Sequence, residues 1–464
     1  MSRGEYYIFL LGLIFLQESG ITIVETKREE QTTMKQSIIR RTLCAMLSAT
    51  MLMGVCACSD GSGTGKKYSL SNSTTDLMAN IEPSANALAF KKNEDSQQTF
   101  EQAYSDFALM LFKNCSAADS RKNTLVSPLS VMTALAMTAN GAKGSTLEQM
   151  QKMLGGGMDI EQLNLYLCAY LNGLPSSEKA KLTSANSIWF KENSLDFNMD
   201  FLQINADYFG ADVFSSKFDE MTLADINGWV NENTGGMIPK VLNQIPDTAV
   251  MYLINALSFD AEWQEIYRED QVYERDFTDI DGKTENVPMM SSTESVYLND
   301  GKAQGFVKPY ASGYSFVAML PDEGISFEDY VKSLDYGKIA DQIKAEDHAP
   351  VLAALPKFSA KYDTELSEML RDNGMADAFD GARADFSGMA DVPPGYLYIS
   401  RVIHKTAIDV DERGTRAGAV TAVEMSKNAA LMMNVVSLDR PFVYMIIDNE
   451  SYLPIFIGQV THIQ

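Results

Sequence analysis

Val410-Asp411-Glu412-Arg413-Gly414-Thr415-Arg416-Ala417-Gly418-Ala419-Val420-Thr421-Ala422-Val423-Glu424-Met425 is an acidic pair, a glycine and then a run of mostly small residues. Read with period 2, Thr415, Ala417, Ala419, Thr421, Val423 and Met425 share one face, and Arg416 and Glu424 fall together on the other. Side chains alternate across a strand, so this register suits a half-buried strand with its charges outward. The run ends in Ser426-Lys427-Asn428-Ala429-Ala430, which reads as an exposed polar tip. A segment fit both for a strand interior and for a loop suits a loop that enters a sheet.

The flanks extend this reading. Upstream stands Tyr398-Ile399-Ser400-Arg401-Val402-Ile403-His404-Lys405-Thr406-Ala407-Ile408-Asp409; downstream come Asp439-Arg440-Pro441-Phe442-Val443-Tyr444-Met445-Ile446-Ile447-Asp448 and Pro454-Ile455-Phe456-Ile457-Gly458-Gln459-Val460. Together these resemble the C-terminal third of a serpin: hinge, reactive-centre loop and two closing strands. The resemblance runs back to about residue 98 through Ser127-Pro128-Leu129-Ser130, Gly141-Ala142-Lys143-Gly144, Ile226-Asn227-Gly228-Trp229-Val230, Leu253-Ile254-Asn255-Ala256, Leu355-Pro356-Lys357-Phe358 and Asp385-Phe386-Ser387-Gly388. Each motif is weak alone; their common order is specific.

The resemblance implies an α+β serpin fold, with helices around a large central mixed sheet, two further sheets and an exposed loop. Periodicity agrees at several points. Apolar residues recur at helical spacing from Phe100 to Phe112, and Ser127-Pro128 opens a second helix where proline's missing N–H costs nothing. The unbroken apolar run after Val250 suits a central strand, and Asp281-Gly282 and Asp300-Gly301 are hairpin signals. Of five cysteines, Cys115 and Cys168 lie beyond the leader in apolar patterns and read as free buried thiols.

The first residues read as address rather than fold. From Met34, basic residues precede an apolar stretch and then Val55-Cys56-Ala57-Cys58, the layout of a secretion signal. It resembles a bacterial lipoprotein signal with Cys58 as the lipidated residue. The expected organisation is an upstream artefact at 1–33, a lipoprotein signal at 34–57, a flexible tether at 58–97 and the serpin domain at 98–464. A second apolar run, residues 6–16, is short of the roughly 20 needed to span a bilayer. The expected address is a lipid-anchored position on the bacterial envelope, at the outer membrane or cell surface.

Among 464 residues, 62 are acidic and 38 basic, for a formal charge of −24. That balance argues against nucleic acid or an anionic membrane as a partner. The three histidines fit none of the usual nucleophile-elbow, zinc-protease or phosphate-loop patterns, so no catalytic residue, metal or cofactor is expected.

The resemblance implies instead suicide inhibition of serine proteases, trypsin-like or elastase-like, by a monomer. Loop cleavage is followed by acyl-enzyme trapping and strand insertion; some cysteine proteases are further candidate targets. It assigns Glu412, Gly414, Thr415, Ala417, Gly418 and Ala419 to the hinge and Ser426, Lys427, Asn428, Ala429 and Ala430 to the scissile region. Counting from Gly414 at the family's usual spacing puts the bond after Asn428; counting back from Pro441 puts it near Ala430. It places His404 under the sheet, hydrogen-bonded to Asn186 beside Ser127 and Ser130, as the gate through which the strands part. Trp263 matches the tryptophan where insertion begins. The alternative reading is a non-inhibitory serpin acting as a binding module, which the small hinge residues oppose.

Overall fold

The computed structural model describes residues 69–84, 93–191, 195–415 and 433–463, all within one compact unit, Tyr68–Gln464. The first helix, α1 (Glu94–Ala118), is capped by Asn93 and turns Phe100, Tyr104, Phe107, Leu111 and Phe112 inward. Helix α2 (Pro128–Ala139) carries Pro128 at its first position and is capped by Ser127, whose Oγ accepts from the Ser130 N–H. Every residue of α2 is buried, as expected of a helix apolar all round. Helices α3 (Gly144–Gly155), α4 (Ile160–Gly173), α5 (Met199–Phe209) and α6 (Glu220–Asn233) complete the early helical run.

Among the described residues, three sheets form. The largest has the order β1 (Thr74–Asp76), β4 (Asp212–Ser216), β3 (Ala180–Lys191), β5 (Met251–Glu262), β14 (Gly414–Thr415), β13 (Arg401–Val410) and β12 (Phe358–Glu365). The second runs β2 (Thr124–Val126), β17 (Pro454–Val460), β16 (Phe442–Asp448), β10 (Tyr314–Pro321), β9 (Ala303–Pro309) and β8 (Val296–Asn299). The small sheet runs β15 (Asn434–Ser437), β11 (Val351–Pro356), β7 (Thr284–Glu294) and β6 (Val272–Thr278). Both expected hairpins are present, β6–β7 and β8–β9, with Gly282 and Gly301 at positive φ in their turns. Cys115 and Cys168 are free and buried.

The main core lies between one face of the large sheet, helices α1 and α2 and the second sheet. A smaller cluster covers the opposite face, where Ile226, Trp229 and Val230 of α6 and Val241 and Leu242 of the following segment meet Tyr252, Ile254 and Ile403. No described helix is long and apolar enough to cross a membrane.

One boundary is corrected. Much of the expected tether is built into the domain: β1 pairs with the edge of β4. Ser71 donates through both its N–H (3.0 Å) and its Oγ (2.6 Å) to the buried carboxylate of Asp225 on α6, and Thr74 Oγ1 does so at 2.6 Å. The segment docks by polar bonds to a charge and by scattered apolar contacts of Leu70, Leu77, Met78 and Ile81, which show no regular apolar period in the sequence. The lipid-anchor residue Cys58 and the proposed signal lie outside the described residues.

Candidate functional site: the seam of the large sheet

Strands β5 and β13 run parallel and are joined in two places. Residues 401–405 of β13 pair directly with 252–256 of β5. Further along, β14 lies between them, with Thr415 opposite Val410 on one side and Ala261 on the other. Among the described residues no ladder joins 257–260 to 406–409. Unpaired strand edges of this kind present donors and acceptors that a further strand can satisfy.

Of the residues assigned to the hinge, Gly414 and Thr415 thus lie between the two strands. Gly414 faces Glu262, and a Cβ there would stand 1.9 Å from the Ala261 carbonyl oxygen, so only glycine fits. Thr415 is fully buried, its Oγ1 2.6 Å from the Tyr310 hydroxyl, as the period-2 reading placed it. Trp263 grips the approach: its N–H donates to Arg413 O (2.7 Å) and its Nε1 to Asp411 O (2.9 Å). Tyr267 N–H donates to Glu412 O at 2.8 Å. The Glu412 side chain accepts from Lys357 Nζ at 2.7 Å. Burial pushes the Glu412 carboxyl up, but the Lys357 hydrogen bond and its own backbone N–H outweigh this and hold it below the usual range. Ala417, Gly418, Ala419 and the scissile candidates Ser426, Lys427, Asn428, Ala429 and Ala430 lie outside the described residues.

Behind Trp263 stands a buried ion pair that sequence reading missed. Lys308 Nζ lies 3.0 Å from Glu294 Oε1, 4.3 Å from the Tyr267 ring centre and 5.3 Å from that of Trp263. Tyr310 stacks on Trp263 with ring centres 4.4 Å apart. Trp263 and Tyr267, which hold residues 411–413 largely through their backbone N–H groups, thus also pack their rings around one cation. The visible signal was a lysine inside the apolar run Gly305-Phe306-Val307-Lys308.

Lower on the seam, His404, Asn255 and Asn186 form a row across β13, β5 and β3. The expected His404–Asn186 bond is not made: Asn255 stands between, its Nδ2 donating to Asn186 Oδ1 and to Ser130 O (2.8 Å). His404 Nε2 accepts instead from the Ser127 N–H at 3.1 Å, which requires a neutral ring protonated on Nδ1. Burial pushes its pKa down to about 4, consistent with that form. Of the residues assigned to the gate, His404 meets Ser127 at the first turn of α2, while Asn186 reaches that turn only through Asn255, which the sequence reading did not include. Ser130 Oγ, Asn255 Oδ1 and His404 Nδ1 are buried without a hydrogen-bond partner. Polar satisfaction here is incomplete, which weakens the hold of this cluster on the two strands.

Comparison with known proteins gives the same picture. A family model described as serpin (serine protease inhibitor) matches residues 102–463. Serpin B6 of Macaca fascicularis is 32% identical over 374 residues, covering 77% of this chain and 98% of its own. Leukocyte elastase inhibitor of Bos taurus is 31% identical over 371 residues, covering 76% and 97%. Among solved structures, the thermophilic serpin tengpin in its native state superposes with a TM-score of 0.78 at 49% identity, over 84% of this chain and all of that one.

Proposed function

This chain belongs to the serpin family, and on that premise we propose that it is an irreversible suicide-substrate inhibitor of serine proteases, trypsin-like or elastase-like. The observation that carries the reading is the hinge: Gly414 and Thr415 sit between β5 and β13 at one end of a stretch without a ladder. The protease's serine oxygen attacks the carbonyl carbon of a bond within 426–430, and the peptide C–N bond breaks. The new amine leaves as the start of the C-terminal fragment, and the acyl group stays on the protease. The freed N-terminal limb then follows Thr415 into the seam and draws the acylated protease with it.

The driving force is strand formation. Each new ladder bond contributes about 0.5–1.5 kcal/mol net, and buried apolar surface about 25 cal/mol per Å². The small residues after Thr415 enter without bulk. Likeness to a leukocyte elastase inhibitor and the alanines at 429 and 430 favour an elastase-like target; Lys427 favours a trypsin-like one. Lipid attachment at Cys58 would hold this activity on the bacterial envelope, as a monomer.

Mixing the purified protein with trypsin, elastase, chymotrypsin and subtilisin, then running denaturing gels with intact-mass analysis, tests the reading. The expected result is a covalent band at the summed mass and a released fragment whose first residue marks the bond. Clean cleavage of the loop with every protease left active would instead assign a non-inhibitory binding serpin. Thr415→Arg, which would bury a charge at a fully buried position, is expected to turn the inhibitor into a substrate.

A further inference from the structure

Three of the well-exposed large apolar side chains stand together on the small sheet. Val435 is 60% exposed, Leu352 44% and Met433 36%. Val435 and Leu352 are direct partners in the parallel β15–β11 ladder, and Thr293 of β7 continues the row beyond Leu352. Among the described residues β15 is the edge of its sheet, and no described strand pairs with it beyond Val435. Single exposed apolar residues need no explanation, but an adjacent set on an open edge marks a contact surface or a liability.

The path of the chain indicates the occupant. The candidate scissile residues are followed by Leu431-Met432-Met433-Asn434-Val435. The seven residues from Ala429 to Val435, six steps along the chain, span at most about 20 Å even when extended. A protease of about 230 residues has a radius of gyration of about 17 Å, so one that grips the bond after Asn428 or near Ala430 overhangs Val435. The chain beyond the cleaved bond runs along the leaving-group side of the protease's cleft. In sequence, Leu431, Met432 and Met433 precede Val435 with only Asn434 between, so the residues just beyond the candidate bonds are mostly apolar.

We infer that the outer face of β15 and β11, centred on Val435 and Leu352, is a second docking surface for the attacking protease. It fits a protease with an apolar rim on the leaving-group side of its cleft. The inference rests on the loop-cleavage reading above. The surface acts on encounter and selectivity rather than on trapping, because β15 and β11 belong to a different sheet from the insertion seam.

The test is the double variant Val435→Thr/Leu352→Thr in the full chain, both replacements being β-branched and suited to strands. The second-order rate of loop cleavage is measured by mass spectrometry with trypsin, elastase, chymotrypsin and subtilisin. The expected result is a fall of about tenfold with at least one protease, the loss of two exposed aliphatic contacts. The trapped fraction and the melting temperature should not change. If the double variant melts lower, the single change Val435→Glu, of a kind edge strands favour, gives the same rate test. Unchanged rates with every protease overturn the inference. So does a wild-type dimer that the variants dissolve, which would assign the face to a second copy of this chain. Cleavage without any trapped protease would sink the inhibitory reading alone, since the cleavage rates still judge the docking surface.

Discussion

His404 and Asn255 stand directly opposite each other in neighbouring parallel strands, yet each ties its own strand to the first turn of α2. Ser127 N–H donates to His404 Nε2 at 3.1 Å, and Asn255 Nδ2 donates to Ser130 O at 2.8 Å. A strand inserted between them would push them apart by about 4.8 Å. At least one tie must then break, so on the proposed mechanism the strength of these bonds sets part of the barrier to insertion.

The His404 tie is pH-dependent. Its ring is held at a pKa of about 4 by burial, against about 6.5 in an unfolded chain. Between these values the unfolded chain binds the extra proton, so native stability from this group is complete above pH 6.5 and falls as pH drops toward 4. The full loss is about 3 kcal/mol. His404→Gln keeps an acceptor for Ser127 but cannot titrate, so its melting temperature is expected to fall less than the wild type's between pH 7 and pH 4. Parallel curves for the two proteins would refute the assignment.

Lys308 and Glu294 make a second expectation. Both side chains are almost fully buried; desolvation lowers the lysine pKa and Glu294 opposes the shift. Removing one member of such a pair strands the other charge, at a cost of about 3–5 kcal/mol. Lys308→Met is expected to lower the denaturation midpoint accordingly and to loosen the Trp263–Tyr267 grip on the hinge. Adding Glu294→Gln should recover most of the loss. A double variant as unstable as the single one would show that the lysine acts through packing rather than charge.

These two sites show what one chain reveals and what it hides. The burial of Thr415, the Ser127-Pro128 helix start and the Asp-Gly hairpins follow from alternation, capping and turn chemistry, which are local. The choice of Asn255 rather than Asn186 beside His404 depends on register across three strands, and no local pattern encodes that. Lys308 was visible as a charge inside an apolar run, but its partner Glu294 lies on β7, a strand of a different sheet. The segment 69–84 docks through hydroxyls onto Asp225, through a strand of three polar residues, Thr74–Asp76, and through irregularly spaced apolar contacts from Leu70, Leu77, Met78 and Ile81, none of which forms a local pattern.

That docking is itself testable. Asp225 is 1% exposed and accepts from Ser71 and Thr74. A hydrogen bond to a charged group is worth about 1.5–3 kcal/mol. The pair Ser71→Ala/Thr74→Val removes two hydroxyl donors and is expected to destabilise the domain by a few kcal/mol, with faster amide exchange along β4. A change below about 0.5 kcal/mol, the range of ordinary surface substitutions, would mean that the segment contributes no stability in solution.

The segment after α6 supplies the last expectation. Asn227 of α6 fixes it on one side, its Oδ1 accepting from the N–H groups of Val241 (2.7 Å) and Leu242 (2.9 Å). On the other side Lys405 of β13 donates to Lys240 O at 2.8 Å while pairing with Asp363 at 2.7 Å. Lys405 belongs to the stretch of β13 paired directly with β5. Opening the seam carries β13 away from β5, and the Lys405–Lys240 bond must stretch or break early. Lys405→Met keeps the aliphatic stem but removes the donor, and the partly exposed Asp363 is left in contact with water. One such bond is worth about 1 kcal/mol, so spontaneous loop insertion at elevated temperature is expected to quicken by about fivefold. Loss of inhibitory activity over time, read beside mobility on native gels, would follow the conversion. The loop-cleaved form, with its seam already open, should melt at the wild-type temperature. An unchanged conversion rate would mean that the segment over the seam moves freely and imposes no brake on insertion.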